Sequence, residues 1–316
     1  MTVYSRAYRR LVAGPIFILG DGVALEARGD DGESYLVVTG DGKRIDGYLA
    51  VILTAADGFP LIGDLLNVKG KNVFKPSNKR EKRQLKKFEK LVAFLTSPND
   101  SVRLVKRSVT TVRKESELDV FLRLISKLRS CGVVKPGDVF AGDSVYGSPR
   151  VRLELASMGI LNGSPVNEGS SGGILKTIYR FWNAGVELAG KAMDNSSVSI
   201  DLLKNADLLL TGMKMLLTGQ AGVKTVPMRH MEKLQLLPTD LGEAMIAGYG
   251  RRLRSGIAEG INGVLKTPFK LVNSGKKLQT KGYENIRKLL HRRIIGKQIA
   301  KLGEIIVNDK LNLRLT

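Results

Sequence analysis

Three groups of residues in this chain have types and spacings that could do chemistry. Gly169-Ser170-Ser171-Gly172-Gly173 satisfies the G-x-S-x-G pattern, in which a sharp strand-to-helix turn exposes a serine hydroxyl as a nucleophile. That geometry needs a strand ahead of the turn, and Ser164-Pro165-Val166-Asn167-Glu168 does not read as one. Gly185 to Lys191 has the glycine-to-lysine spacing of a phosphate-cradling loop, but Ala192 stands where a magnesium-binding hydroxyl is required. Trp182 and Val186 place this string inside a helix, so both glycine motifs fail on context.

Metal and acid–base chemistry find no better footing. His230 and His291 are the only histidines, and neither has a Cys, His, Asp or Glu at the spacing of a zinc site. His230, within Met-Arg-His-Met-Glu, reads as a helix surface. Cys131 follows the basic stretch Lys127–Arg129, which would favour a thiolate, yet the end of an amphipathic helix is where a buried, inert cysteine is expected. Asp30 and Asp31 sit at a turn, where short acids serve the backbone. No catalytic residue, cofactor or metal is expected, and the chain reads as a non-enzyme.

The elements around these residues point to an α+β fold. Asp-Gly pairs at 31–32, 41–42 and 57–58, together with Gly20-Asp21-Gly22, punctuate Ile16–Leu19, Val23–Ala27, Tyr35–Thr39 and Tyr48–Thr54, which are rich in β-branched and aromatic residues. A small antiparallel sheet or barrel is expected, with amphipathic helices inserted at 79–95 and 118–128 and an extended stretch at Val102–Val112. Val133–Leu155 returns to strand-like sequence. Asn162–Gly173, NGSPVNEGSSGG, lacks apolar periodicity and reads as a linker. Residues 1–161 would then be one α+β domain and 174–316 a predominantly helical, glycine-rich region, with helices at Ile174–Met193, Val198–Leu217, Leu241–Leu265 and Tyr283–Val307. Gly242, Gly248, Gly250, Gly256, Gly260 and Gly263 cost about 1 kcal/mol each relative to alanine in a helix interior, so a partner, a close helix contact or loop breaks must account for them.

Charge supplies the strongest functional signal. The chain carries +21, unevenly: 7 basic against 9 acidic residues in 1–70, 19 against 8 in 71–150, 9 against 8 in 151–240 and 16 against 5 in 241–316. An excess of this size self-repels in a compact chain and suits an anionic partner. The candidate contacts are Lys79, Arg80, Lys82, Arg83, Lys86, Lys87 and Lys90 on the first basic helix, and Arg251, Arg252, Arg254, Lys276, Lys277, Arg292 and Arg293 in the C-terminal block. Aromatic residues are sparse beside them, so nucleic-acid contact would be mainly to phosphate. One cysteine excludes an intrachain disulfide. The apolar run Ile16–Leu19 after Arg6, Arg9 and Arg10 is too short for a secretory signal, and no stretch approaches the roughly 20 apolar residues of a spanning helix.

These features lead to the expectation of a structural or assembly subunit of a large particle, virion-like or phage-tail-like, located in a virion or the cytoplasm. Its partners would be other subunits in a homo- or hetero-oligomer. The alternative is an RNA- or DNA-binding protein of ribosome-associated or nucleoprotein type. Reversing Lys82, Arg83, Lys86 and Lys87 to Glu is expected to weaken association while leaving thermal melting unchanged, because exposed charges contribute little to stability. A collapse of melting would instead place that helix face inside the fold.

Overall fold

The computed structural model describes residues 1–27, 31–38, 43–67, 115–168, 173–193, 199–218, 234, 236–258, 260–261, 278 and 280–315. Contacts divide the chain into one unit of Met1–Leu65 with Glu117–Thr316 and another of Leu66–Ser116. The expected basic helix at 79–95 and the extended stretch 102–112 lie outside the described residues. The fold of the first unit is α+β. In chain order its elements are α1 (Thr2–Leu11), β1 (Phe17–Glu26), β2 (Tyr35–Val38), β3 (Arg44–Ala55), β4 (Pro60–Leu65), α2 (Glu117–Ser130), β5 (Val139–Ala141), α3 (Pro149–Ser157), β6 (Leu161–Asn162), α4 (Gly173–Met193), α5 (Ile200–Thr218), α6 (Leu241–Leu253), a π-helical turn (Arg254–Ala258) and α7 (Tyr283–Leu315).

The strands form a curled mixed sheet in the order β2-β3-β1-β5-β6, with β4 also paired to β3. β3 is the spine. Its residues 47–55 pair antiparallel with β1, its start pairs with β2, and 50–54 pair with β4. β5 and β6 add in parallel. Pleating sends Tyr48, Ala50 and Ile52 to one face, where they meet Val23 and Leu25 of β1 and Ile286, Leu290 and Ile294 of α7. Val51, Leu53 and Ala55 are buried on the other face. Burial on both faces explains the nearly continuous apolar run of β3.

Four sequence expectations change. Gly20-Asp21-Gly22 is not a turn: β1 runs straight through it, with Gly22 opposite Val51. A Cβ at Gly20 would meet the Phe140 ring and one at Gly22 the Glu117 carboxylate, so these glycines make room for neighbours. The second half of the strand-like Val133–Leu155 is α3, opened by Pro149 behind Ser148. Within 162–173, expected as a linker or an exposed loop, Asn162, Ser164 and Val166 are buried. The helix expected to run to Leu265 gives way at Arg254 to the π-helical turn. Asp57-Gly58 does turn, with Gly58 at φ 84 and its N–H bonded to the Ala55 carbonyl.

The C-terminal region is built into the same core as the sheet. At the start of α7, the Gly282 N–H donates to Asp31 (3.1 Å) and the Tyr283 N–H to Glu33 (2.5 Å), so an acidic turn some 250 residues away supplies the helix cap. One turn further, Asp64 of β4 accepts two hydrogen bonds from Arg287 (2.7 and 2.9 Å) and lies 3.2 Å from His291 Nε2. Arg123 of α2 reaches it from another side at 2.8 Å. Farther along, Gln298 donates to Ser5 Oγ and to the Pro60 and Leu61 carbonyls. Ser5 itself donates to Leu61, and Tyr8 stacks on Phe59 at 4.2 Å, which holds α1 in place.

α4, α5 and α6 pack around Trp182, Val186, Ala206, Leu210, Met213 and Ala247. Here one glycine earns its place through close approach: at Gly248 any Cβ would overlap the Val186 carbonyl and the Gly190 backbone of α4. Ile200, Leu208 and Met215 stay exposed on α5. Among the described residues, no helix is long and apolar enough to cross a membrane.

Asp64 is 4% exposed. Burial alone would raise its carboxyl, but the hydrogen bonds from His291, Arg287 and Arg123 outweigh it and hold the group far below the ordinary aspartate range. A folded pKa below the unfolded one gives stability that is complete above about pH 5 and lost as pH falls below about 4. Asp64→Asn is expected to cost about 3 kcal/mol in urea unfolding at neutral pH, the low end for breaking a buried pair because Arg123 and Arg287 reach solvent. It should also flatten the acid limb of the stability–pH curve. An unchanged acid limb would show that Asp64 is not what that limb reports.

Candidate functional site

The C-terminal arginines expected to meet a polyanion have divergent roles. Arg251, near the end of α6, lies with its guanidinium 4.7 Å from the Trp182 ring centroid, and Arg152 of α3 lies 4.6 Å from the same ring. Arg152 is buried and donates to the carbonyls of Gly147 (3.2 Å), Asn162 (2.8 Å) and Ser164. Arg251 donates to the Gly163 carbonyl (2.5 Å) and to Asn183 (3.3 and 3.4 Å). Burial lowers both guanidinium groups to about 9, with the Arg251 charge adding to the effect at Arg152 and Glu187 opposing it at Arg251. Both remain charged at neutral pH. Two cations sharing one indole are held by carbonyl dipoles and ring faces, and together they clamp residues 162–164.

Arg254 pairs with Asp21 at 3.2 Å. Near this pair, Tyr146 donates to Glu117 at 2.6 Å. Burial, above all, raises the Glu117 carboxyl; the Tyr146 hydrogen bond opposes this, while the charges of Asp143 and Asp21 add to it. The Tyr146 hydroxyl is raised as well, chiefly by burial. Arg254 therefore serves as a counter-ion in an acidic cluster. Arg252 is exposed and shares a cleft of about 320 Å³ with Asn183, Glu187, Arg251 and Ser255. On α7, Arg292 is exposed and Arg293 half-buried. Lys276 and Lys277 lie outside the described residues, as do Lys79, Arg80, Lys82, Arg83, Lys86, Lys87 and Lys90 of the first block. Among the candidates that can be placed, Arg251 and Arg252 share one cleft.

A larger basic cleft, of about 690 Å³, lies elsewhere and was not among the expected sites. It forms between the end of α1 and the turn after α2, with Arg6, Arg9, Arg10, Cys131 and Lys135 in its lining and, among the described residues, no Asp or Glu. Arg6 and Arg10 are one helical turn apart and exposed, as is Lys135. Arg9 turns inward, donating to the Gly14 carbonyl (2.7 Å) and to Asp138 (3.2 Å). Asp138 is fully buried and also accepts the N–H groups of Ile16 (2.9 Å) and Lys135 (2.8 Å), which fixes both walls of the cleft. Cys131, expected to be buried, is half-exposed on the lining.

The glycine motifs also find their places. Gly185–Lys191 lies within α4, as its apolar neighbours imply. Gly169–Gly172 and His230 lie outside the described residues. Among the described residues, no three of His, Cys, Asp and Glu are grouped to hold a metal ion. Comparison of the chain with models of known families, with curated proteins and with solved structures gives no match.

The Arg152 clamp has a direct consequence. Arg152→Ala would leave three carbonyls without their donor, at about 1–3 kcal/mol for each buried unsatisfied group. Stability in urea unfolding is expected to fall by about 3 kcal/mol or more, and Arg152→Lys should rescue little because an ammonium cannot reproduce the planar fork. Unaltered unfolding in Arg152→Ala would contradict the clamp.

Proposed function

We propose that this chain is a non-enzymatic structural subunit of a large assembly, of virion or phage-tail type, located in the particle or the cytoplasm before assembly. The supporting observation is the two-part character of α7. Its first half is embedded, with Ile286, Leu290, Ile294 and Gln298 buried against the sheet. Past Leu302 the helix continues to Leu315; Ile306 and Val307 there are 44% and 56% exposed, and Ile299 on the outer face of the embedded part is 50% exposed. Large apolar side chains left exposed on a helix are what a neighbouring subunit would cover. About a dozen residues of helix are marginal in water without tertiary contacts, so a contact on this segment would stabilise it. The surplus positive charge suits acidic neighbours or nucleic acid around such a subunit.

A second reading, as a nucleic-acid-binding protein that touches mainly phosphate, is favoured by the basic cleft beside α1. The two readings differ in native mass. Light scattering of the purified chain is expected to show an oligomer, and the triple substitution Ile299→Glu, Ile306→Glu and Val307→Glu is expected to yield monomers with little change in thermal melting. A wild-type monomer at all concentrations, alone and with its co-purifying partners, would overturn the assembly reading.

A further inference from the structure

The cleft between α1 and the Gly132–Pro136 turn combines three exposed cations, Arg6, Arg10 and Lys135, with a lining that holds no carboxylate among the described residues. The nearest buried acid, Asp138, is already engaged by Arg9 and by two backbone N–H groups, so it does not offset them. Arg9 Nε is buried and has no hydrogen-bond partner among the described residues. The C-terminal end of α1 contributes a partial negative charge of about half an electron, which favours the arginines in its last turn and leaves the cleft strongly positive.

We propose that this cleft binds the phosphate backbone of single-stranded nucleic acid. The proposal rests on the reading above that basic surfaces of this chain meet a polyanion, and it names both the polyanion and the place. A recessed site suits a phosphodiester chain better than a bilayer, whose surface is met by protruding cations together with large inserted aromatics. The cleft is lined instead by Val12, Ala13, Pro15 and Pro136. Among the described residues no aromatic side chain lines it either, so bases meet no stacking platform there and sequence preference should be weak.

The test is fluorescence anisotropy of the full-length chain with a labelled single-stranded RNA 20-mer of mixed sequence over a range of salt. The combined variant Arg6→Gln, Arg10→Gln, Lys135→Gln is expected to bind at least tenfold more weakly, with the slope of log K against log salt reduced by about 2, as three phosphate contacts at about 0.7 each require. Arg6→Lys with Arg10→Lys and Lys135→Arg should bind like wild type, which separates charge from folding. Lys176→Gln, Lys204→Gln, Lys214→Gln removes equal charge from α4 and α5 and should move the slope by less than half a unit. Equal losses in both neutralised variants, or no loss in the first, overturn the proposal. So does wild-type protein that fails to bind the RNA, that binds only vesicles of phosphatidylcholine and phosphatidylserine, or that releases RNA to equimolar pyrophosphate. A monomer that binds RNA through the cleft would sustain this inference while defeating the assembly reading, so the two fail separately.

Discussion

A carboxylate buried on β4 governs the architecture. Asp64 cannot remain charged in the sheet without cations, and the ones it uses come from two helices distant in sequence: Arg123 on α2, and Arg287 on α7 with His291 beside it. Removing a charge from water costs several kcal/mol, which only close, multiply hydrogen-bonded partners offset. The need to meet that charge therefore fixes where α7 crosses the sheet. Above it, Asp31 and Glu33 accept the first N–H groups of the helix; below it, Gln298 satisfies carbonyls of β4 and the hydroxyl of Ser5. Apolar residues between these anchors complete the contact. A helix that looks like the end of a basic tail is thereby a wall of the N-terminal core.

The same economy of charge appears across the C-terminal block. Arg251 and Arg254 belong to a strongly basic stretch, yet one sits over Trp182 against backbone carbonyls and the other faces Asp21. Each makes interactions that a freely solvated binding arginine would not need. Arg252 and Arg292 remain at the surface, and Arg6, Arg10 and Lys135 line one cleft of about 690 Å³. Charge in the sequence is thus of two kinds: cations built into the fold and cations at its surface.

Periodicity made the helices legible. The stripes that indicate α2 and α5 arise because each buries one face, and β3 shows itself through its density of β-branched residues. The failures share a different cause: local composition cannot report a distant neighbour. Gly20 and Gly22 resemble a turn because nothing local reveals Phe140 and Glu117. Asn162 and Ser164 resemble a linker because polar residues satisfied by Tyr146, Gly142 and Arg152 look, in sequence, like residues satisfied by water. α1 is held by Ser5, Tyr8 and Arg9, whose partners lie far along the chain. The basic cleft was hidden because residues 1–70 sum to a small negative charge while two of their arginines lie beside Lys135. A weak signal existed in Arg6 and Arg10, whose spacing of four puts them on one side of a helix.

Up to Leu302, α7 is a structural element packed on the sheet and not a tail ordered by assembly. Hydrogen exchange of the full chain, followed by mass spectrometry at low protein concentration, measures this directly. Amides of residues 286–302 are expected to exchange as slowly as those of β3, with 306–315 exchanging at least tenfold faster. Rapid exchange throughout 286–315 in dilute protein, alongside a protected β3, would contradict the account and return α7 to the status of a tail.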